Sequence, residues 1–137
     1  MREYFTATPL DNPVIYTVFG WQSGDGVTDL LATLTVLNAG RIGRELFHTK
    51  GHYHRSPDGA EYITVISGVG CLEVARDADT SPETATLEPG VHVVVPPGYA
   101  HRVFNTGDAT LVYISVCSAG LGHDYDSIRS LGWRIAR

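Results

Sequence analysis

Residues 90–105, which read GVHVVVPPGYAHRVFN, carry the spacing that decides the fold. The run from His92 to Val95 predicts a short β-strand, and the turn at residues 96–98 ends it. The chain then continues to His101. A turn of this kind brings a distant strand back across the mouth of a small β-barrel, so His101 is predicted to face that mouth.

A second stretch, residues 51–54 (GHYH) followed by Glu61, complements the first. Alternate side chains of a strand share a face, so His52 and His54 are predicted to point the same way. With Glu61 and His101 they supply three imidazoles and one carboxylate, which suits a divalent transition metal. These ligand types suit Fe²⁺, Zn²⁺, Mn²⁺, Ni²⁺ and Co²⁺ without selecting one of them, and we expect Fe²⁺. Four protein ligands on a six-coordinate ion leave two positions for a substrate.

The strand that starts at Glu61 is predicted to run to Ser67. Because side chains alternate, an inward Glu61 also turns Ile63, Val65 and Ser67 inward and Tyr62 outward.

The other histidines and four basic residues receive separate predictions. His48 is expected to face solvent or to pack locally, His92 to be an ordinary strand residue, and His123 to lie in the pocket. Arg41 and Arg55 are expected to be solvated surface charges, whereas Lys50 and Arg102 flank predicted ligands and are less expected to be so.

Composition limits the class of protein. The chain has 137 residues, 43% of them hydrophobic, with 15 glycines and 7 prolines, which is typical of one turn-rich globular domain. A net charge of −5 argues against nucleic acid as the main partner. Neither a membrane-spanning run nor the apolar stretch of a signal peptide is recognised. We therefore expect a cytoplasmic protein in which both cysteines are buried thiols.

Short segments of β-forming residues alternate regularly with turn residues. This spacing predicts a small all-β barrel or a two-sheet jelly roll. The predicted strands are residues 13–19, 30–37, 61–67, 71–75, 85–87, 92–95 and 110–116. Residues 126–131 are predicted to form a short helix that Gly132 ends. The predicted single domain spans 1–137: an arm and first strand in 1–31, with 1–12 irregular, and a barrel core in 32–137.

The two motifs follow the patterns HxH-x6-E-x6-G and G-x5-P-x-G-x2-H-x3-N, which resemble the signature of the cupin superfamily. Three further stretches narrow the resemblance: residues 49–54 (TKGHYH), 97–108 (PGYAHRVFNTGD) and 122–125 (GHDY). They are similar to the cupin-type glucose-6-phosphate isomerases of archaea and some bacteria. The similarity runs from about Thr33 to the C-terminus.

This resemblance implies a homodimer with a double-stranded β-helix fold, and the interconversion of glucose 6-phosphate and fructose 6-phosphate in glycolysis and gluconeogenesis. It implies a metal held by His52, His54, Glu61 and His101. It implies a phosphate pocket with Thr35, Thr49, Gly51 and Tyr16, to which Lys50 could add charge. The expected catalytic residues are Glu61, His123 and Tyr125.

An aldose–ketose isomerase moves hydrogen between C1 and C2 of the sugar. Glu61 is expected to shuttle the proton, and a hydride shift is the rival route. The chain departs from the family at two positions: Ile63 and Cys117 stand where tyrosines are usual. Both replacements make the pocket more apolar.

Three other functions stay open at this point. The same ligand set suits a non-haem iron oxygenase that acts on a small metabolite. A cupin that binds a sugar or metabolite without turnover is the second, and a purely structural cupin is the third.

Overall fold

A computed structural model describes the backbone of residues 2–4 and both the backbone and the side chains of residues 13–133. Within this part the chain forms eleven strands and two short 3-10 helices. The strands are β1 Arg2–Tyr4, β2 Tyr16–Gln22, β3 Leu30–Leu37, β4 Arg41–Ile42, β5 Glu45–Leu46, β6 Glu61–Ser67, β7 Gly70–Ala75, β8 Glu83–Leu87, β9 His92–Val95, β10 Ala100–Asn105 and β11 Leu111–Ser118. The 3-10 helices are Ala119–Leu121 and Ser127–Leu131.

Two antiparallel sheets form the framework. The larger has the order β1-β2-β3-β11-β6-β9, the smaller has the order β10-β7-β8, and β4 and β5 form a separate hairpin. The main core draws on both sheets, with Leu37 and Leu111 from the larger one and Leu72, Leu87 and Val103 from the smaller one. The predicted all-β jelly roll is confirmed, because two sheets enclose one apolar interior.

The central strand β11 shows why one end of the interior is polar. Its side chains alternate strictly between buried and half-buried positions. The inward row begins with Leu111 in the apolar core and continues through Tyr113 and Ser115 to Cys117. Cys117 pairs with Glu61 at the start of β6. The interior therefore changes from hydrocarbon at one end to hydroxyl, thiol and carboxylate groups at the other.

Most predicted strands are confirmed, and those at 30–37, 61–67 and 92–95 have the predicted bounds. The first predicted strand, 13–19, is shifted to Tyr16–Gln22, since Trp21 and Gln22 continue the ladder opposite β3. The irregular arm predicted for residues 1–12 is wrong for Arg2–Tyr4, which pairs with β2. The remainder of that arm, residues 1 and 5–12, lies outside the described residues.

The prediction that Ser67 faces inward is wrong. Glu61, Ile63 and Val65 are buried and Tyr62 is exposed, as alternation requires, but Ser67 is exposed. The register between β6 and β11 shifts between Val112 and Tyr113. A β-bulge of this kind reverses the side-chain parity beyond it.

The C-terminal helical segment is confirmed as a 3-10 helix over Ser127–Leu131. Its backbone bonds join residues three apart, from Arg129 N to Asp126 O and from Gly132 N to Arg129 O. Gly132 ends it in the left-handed conformation, with φ +62°. Within the described residues, no helix combines the length and the hydrophobicity that a membrane crossing needs.

Candidate metal centre and substrate pocket

Three segments bring the predicted metal ligands together. His52 and His101 form an isolated antiparallel bridge, in which each backbone N–H donates to the other residue's carbonyl oxygen, at 3.2 and 3.1 Å. This bridge fixes residues 48–54 against β10. Glu61 is the first residue of β6, and His54 reaches it from the same segment as His52. The open end of the interior therefore receives all four side chains.

The four ligand atoms lie within 4.8 Å of one another. Glu61 Oε2 is 2.9 Å from His54 Nε2, 3.1 Å from His101 Nε2 and 4.0 Å from His52 Nε2. Two atoms that are each about 2.1 Å from one ion lie about 3.0 Å apart when adjacent and about 4.2 Å apart when opposite. The three distances from Glu61 Oε2 are close to these values.

The hydrogen bonding of the cluster also fits a cation. His52 Nε2 and both ring nitrogens of His101 are buried and have no hydrogen-bond partner among the described residues. The 3.1 Å approach of His101 to Glu61 is therefore a close contact without hydrogen-bond alignment. Buried polar atoms are rarely left in this state unless an ion or water binds them. The cluster could hold a divalent transition metal.

Charge states in the cluster match what metal binding requires. Burial raises the pKa of Glu61, but the neighbouring imidazoles, His101 foremost, outweigh it and bring that pKa well below its usual value. Burial, aided by His101, lowers the pKa of His52 to about 2. A neutral imidazole beside an ionised carboxylate is the protonation state in which both groups coordinate a cation.

Beside the cluster lies a cavity of about 390 Å³. His52, Glu61 and His101 line it. Six residues with hydroxyl groups also line it: Tyr16, Thr33, Thr35, Thr49, Tyr113 and Ser115. The cavity therefore combines a metal-ligand cluster with a wall of hydrogen-bond donors.

Every residue predicted for phosphate binding or catalysis lines this cavity: Tyr16, Thr35, Thr49, Lys50, Gly51, Glu61, His123 and Tyr125. The His123 and Tyr125 rings stack, with centroids 5.8 Å apart, and the Lys50 Nζ lies 4.7 Å from the Tyr125 centroid. The His123 ring centroid is 4.4 Å from that of His52. The structure gathers these side chains, while their individual roles stay predictions.

Arg102 is not a solvated surface residue, and it does not line the pocket. Its side chain pairs with Glu73 and lies over the rings of Phe104 and Trp133. Residues 101 and 102 point to opposite faces of β10, so an inward His101 turns Arg102 away.

His48 packs locally, as predicted. Its ring nitrogens contact Thr49 O at 2.7 Å and Glu45 Oε1 at 3.1 Å. His92 is an exposed strand residue whose Nδ1 contacts the Tyr62 hydroxyl.

Both cysteines are free, but only Cys117 is buried, whereas Cys71 is half-buried. Cys117 lines the cavity, and burial raises the pKa of its thiol to about 12. In the metal-free protein this side chain is therefore a neutral thiol.

Sequence reasoning missed the hydroxyl groups of Tyr113, Ser115 and Thr33. The Thr33 Oγ1 and Ser115 Oγ atoms are 2.7 Å apart in the wall between β3 and β11. The alternation of Tyr113, Ser115 and Cys117 along one strand was the available signal, since an inward Cys117 implies that the other two are inward.

The chain is similar in sequence to proteins of one known family. A family model described as glucose-6-phosphate isomerase (GPI) matches residues 3–135. This chain belongs to the glucose-6-phosphate isomerase family. Among curated relatives, the glucose-6-phosphate isomerase of Thermococcus onnurineus is 38% identical over 123 residues, and that of Pyrococcus furiosus is 35% identical. Each match covers 90% of this chain and 65% of the relative, so the chain spans slightly less than two thirds of their length.

Solved structures with low sequence identity share the fold. An oxalate decarboxylase from Lactobacillus farciminis has a TM-score of 0.64 at 18% identity, over 82% of this chain and 31% of that one. Peruvianin-I, a cysteine peptidase from Thevetia peruviana latex, has a TM-score of 0.65 at 17% identity, over 82% of this chain and 67% of that one. At such identities the likeness concerns the fold alone.

Proposed function

We propose that this protein is a metal-dependent aldose–ketose isomerase that interconverts glucose 6-phosphate and fructose 6-phosphate. The proposal is supported by one cavity whose lining combines a cluster of metal ligands, several hydroxyl groups and the cationic Lys50. A sugar phosphate has matching parts, a carbonyl with a neighbouring hydroxyl and an anionic phosphate. Membership of the isomerase family supports this substrate class.

We propose Fe²⁺ as the ion, held by His52, His54, Glu61 and His101. When bound, a divalent cation would polarise the sugar carbonyl and stabilise negative charge on the adjacent oxygens. Imidazole and carboxylate ligands also accept Zn²⁺, Mn²⁺, Ni²⁺ and Co²⁺, so metal analysis of the purified protein tests this choice.

The proposed phosphate-binding groups are neutral hydrogen-bond donors and the ammonium group of Lys50. Gly51 adopts φ +78°, and no described residue accepts a hydrogen bond from its N–H group. The hydroxyls of Thr35 and Thr49 and the ammonium group of Lys50 face the same cavity. Backbone N–H groups and hydroxyls of this kind can hold a phosphate without a helix N-terminus. These residues orient the sugar.

Glu61 is the proposed base. Its carboxylate is ionised because the surrounding imidazoles bring its pKa well below the usual value, against the effect of burial. It would take the proton from one sugar carbon and return it to the next. Oε2 faces the imidazoles, which leaves Oε1 to exchange the proton.

His123 is a proposed partner in proton transfer at the sugar oxygens. Burial lowers its pKa, so the ring is neutral at pH 7 and can accept or donate a proton. Burial raises the pKa of the Tyr125 phenol beside it, and Tyr125 would therefore act as a neutral hydrogen-bond donor.

We also propose that the protein is a cytoplasmic homodimer. Support for the dimer comes from the outward side of the larger sheet, or outer face. On β2, β3, β11, β6 and β9 this face contains no Asp, Glu, Lys or Arg. It includes Phe19, Trp21, Leu34, Ile114, Val116, Tyr62, Ile66 and Val94. An uncharged surface of this extent is typical of a protein interface.

An assay with a panel of aldose and ketose phosphates tests the function. Protein stripped of metal and reloaded with Fe²⁺ should interconvert glucose 6-phosphate and fructose 6-phosphate without oxygen uptake. Glu61→Ala should abolish activity, while Glu83→Ala, a change of the same type at an exposed position, should not. Oxygen consumption without isomerisation would contradict the proposal, and full activity of Glu61→Ala would refute the role of that carboxylate.

A further inference from the structure

Tyr113 occupies an unusual position in the wall of the cavity. It lies directly opposite Thr35 of β3 and Val65 of β6. The side chain is only 6% exposed and belongs to the apolar core, yet Tyr113 also lines the cavity. A buried tyrosine uses its ring for packing and needs a partner for its hydroxyl. The hydroxyl end is therefore the part available to a ligand.

Other hydroxyl donors surround this phenol. Thr49 Oγ1 accepts a hydrogen bond from Val103 N at 3.0 Å, and the Tyr16 hydroxyl accepts one from Lys50 N at 3.4 Å. Since a hydroxyl that accepts one bond still carries its own proton, both groups can donate to a ligand. Thr35, which is 4% exposed, faces the same cavity. The wall therefore collects several donor protons that an anionic ligand could accept.

The charge state of Tyr113 suits donation. Burial raises its pKa, an effect that hydrogen bonding with Thr35 and Thr49 only partly offsets. The phenol thus keeps its proton and brings no negative charge to the wall. Lys50 is the cationic residue that lines the cavity. An anion with several acceptor oxygens matches this arrangement better than a neutral or cationic group does.

We infer that Tyr113 is a phosphate-binding residue of this chain, whose phenol donates to the same phosphate group as Thr35, Thr49 and Tyr16. This inference rests on the proposed function, because it specifies which end of the substrate the wall receives. Ile63 carries only hydrocarbon and cannot supply such a bond. Tyr113, on the neighbouring strand β11, supplies a hydroxyl group to the same cavity instead.

The test replaces the phenol by a phenyl ring in the metal-loaded protein. Tyr113→Phe keeps the packing and removes one donor. We expect the Kd for inorganic phosphate, measured by calorimetry, and the KM for glucose 6-phosphate to rise about 10-fold. The kcat should stay within about 2-fold, since the phenol acts on binding and not on the reacting carbons. Tyr62→Phe, which removes a phenol on the outer face, is the matched control and should change neither constant.

Several outcomes would overturn the inference. They are wild-type protein that binds no phosphate at millimolar concentration, Tyr113→Phe protein that binds it as tightly as wild type, and an equal loss in Tyr62→Phe. Phosphate binding is measured without turnover. A wild type that binds phosphate through Tyr113 but isomerises no sugar phosphate would therefore refute the proposed isomerase and leave the role of Tyr113 standing.

Discussion

His52 shows how burial sets the chemistry of a single side chain. Its pKa is about 2 in the folded, metal-free protein, mainly because burial disfavours the charged ring, against 6.5 for free histidine. The unfolded chain therefore binds more protons below pH 6.5, and stability falls as the pH falls. Between pH 7.5 and pH 5.5 we expect His52 to cost the metal-free protein roughly 1–2 kcal/mol.

Thermal unfolding of chelator-treated protein at these two pH values measures the loss. His52→Gln removes the titrating ring, so this variant should lose less stability over the same interval. Equal losses in the variant and the wild type would show that His52 does not carry the pH dependence.

Gly51 is a position where neither the backbone nor the packing accepts a side chain. Its φ is +78°, and a Cβ there would lie 3.1 Å from Arg102 Cβ and 3.2 Å from Trp133 Cζ3. Gly98 has φ +79° with nothing within 4 Å of a Cβ. We expect Gly51→Ala to lower the free energy of unfolding by about 2–3 kcal/mol and Gly98→Ala by about 1 kcal/mol. Urea unfolding compares them, and equal losses would mean that packing adds nothing at Gly51.

For single residues, the sequence predicts the metal ligands better than it predicts the other residues that line the cavity. His52, His54, Glu61 and His101 are recognisable because fixed spacing places them on known faces of their strands. For Tyr113 the alternation with Cys117 indicates an inward side chain, but its place opposite Thr35 depends on the pairing of β3 and β11, which joins segments far apart in the chain. Arg102 follows a predicted ligand directly, and it faces away from the pocket because neighbouring residues of a strand take opposite faces.

At the scale of elements, the segment 122–127 is held by one carboxylate. Asp124 Oδ1 accepts hydrogen bonds from Asp126 N at 3.0 Å and Ser127 N at 3.1 Å, and Oδ2 accepts one from Ser127 Oγ. Asp124 also pairs with Tyr53 through both backbone groups. This carboxylate orders the chain on either side, where His123 and Tyr125 line the pocket.

Asp124→Ala should therefore loosen His123 and Tyr125. We expect kcat/KM to fall about 3–10-fold, because a small misplacement of pocket residues reduces the rate, and amide exchange at residues 123–127 to accelerate. Asp126→Ala is the control, since the carboxylate of Asp126 makes only an exposed 3.8 Å contact with Arg129. Comparable losses in both variants would show that the Asp124 carboxylate does not order this segment.

The positions of most strands were predictable from local composition. The face that each side chain takes was predictable only where the strand pairing is regular. The bounds of β3, β6 and β9 follow from runs of β-branched and aromatic residues. The bulge opposite Val112 has no local signal, so Ser67 was assigned to the wrong face. The β-strand at Arg2–Tyr4 pairs with the edge of β2, and the local sequence of these three residues does not predict this pairing.

At the scale of the whole molecule, the uncharged outer face is the surface proposed for the dimer. Ile66 is 51% exposed there, and Val69, which is 42% exposed, lies outside the strands in the turn before β7. If the proposed dimer forms through this face, Ile66→Lys should shift it to monomers and raise the dimer Kd at least about 10-fold, because the substitution would bury a charge in an apolar interface. Val69→Lys should leave the dimer intact.

Sedimentation over a range of concentrations measures this shift. A wild type that is monomeric at every concentration would contradict the dimer, and an equal effect of both lysine substitutions would contradict the choice of surface. The all-β architecture was predictable from turn spacing, but the uncharged outer face depends on the pairing of five strands and forms only in the assembled sheet.

Four side chains from three segments are proposed to hold one divalent cation. Elemental analysis of protein stripped by a chelator, reloaded and desalted measures the bound metal, with His101→Ala and the exposed His92→Ala compared side by side. We expect about one ion per chain in wild type and His92→Ala, and a loss of at least about 10-fold in affinity in His101→Ala. Wild type that retains no ion, or His101→Ala that retains as much as wild type, would contradict this proposal.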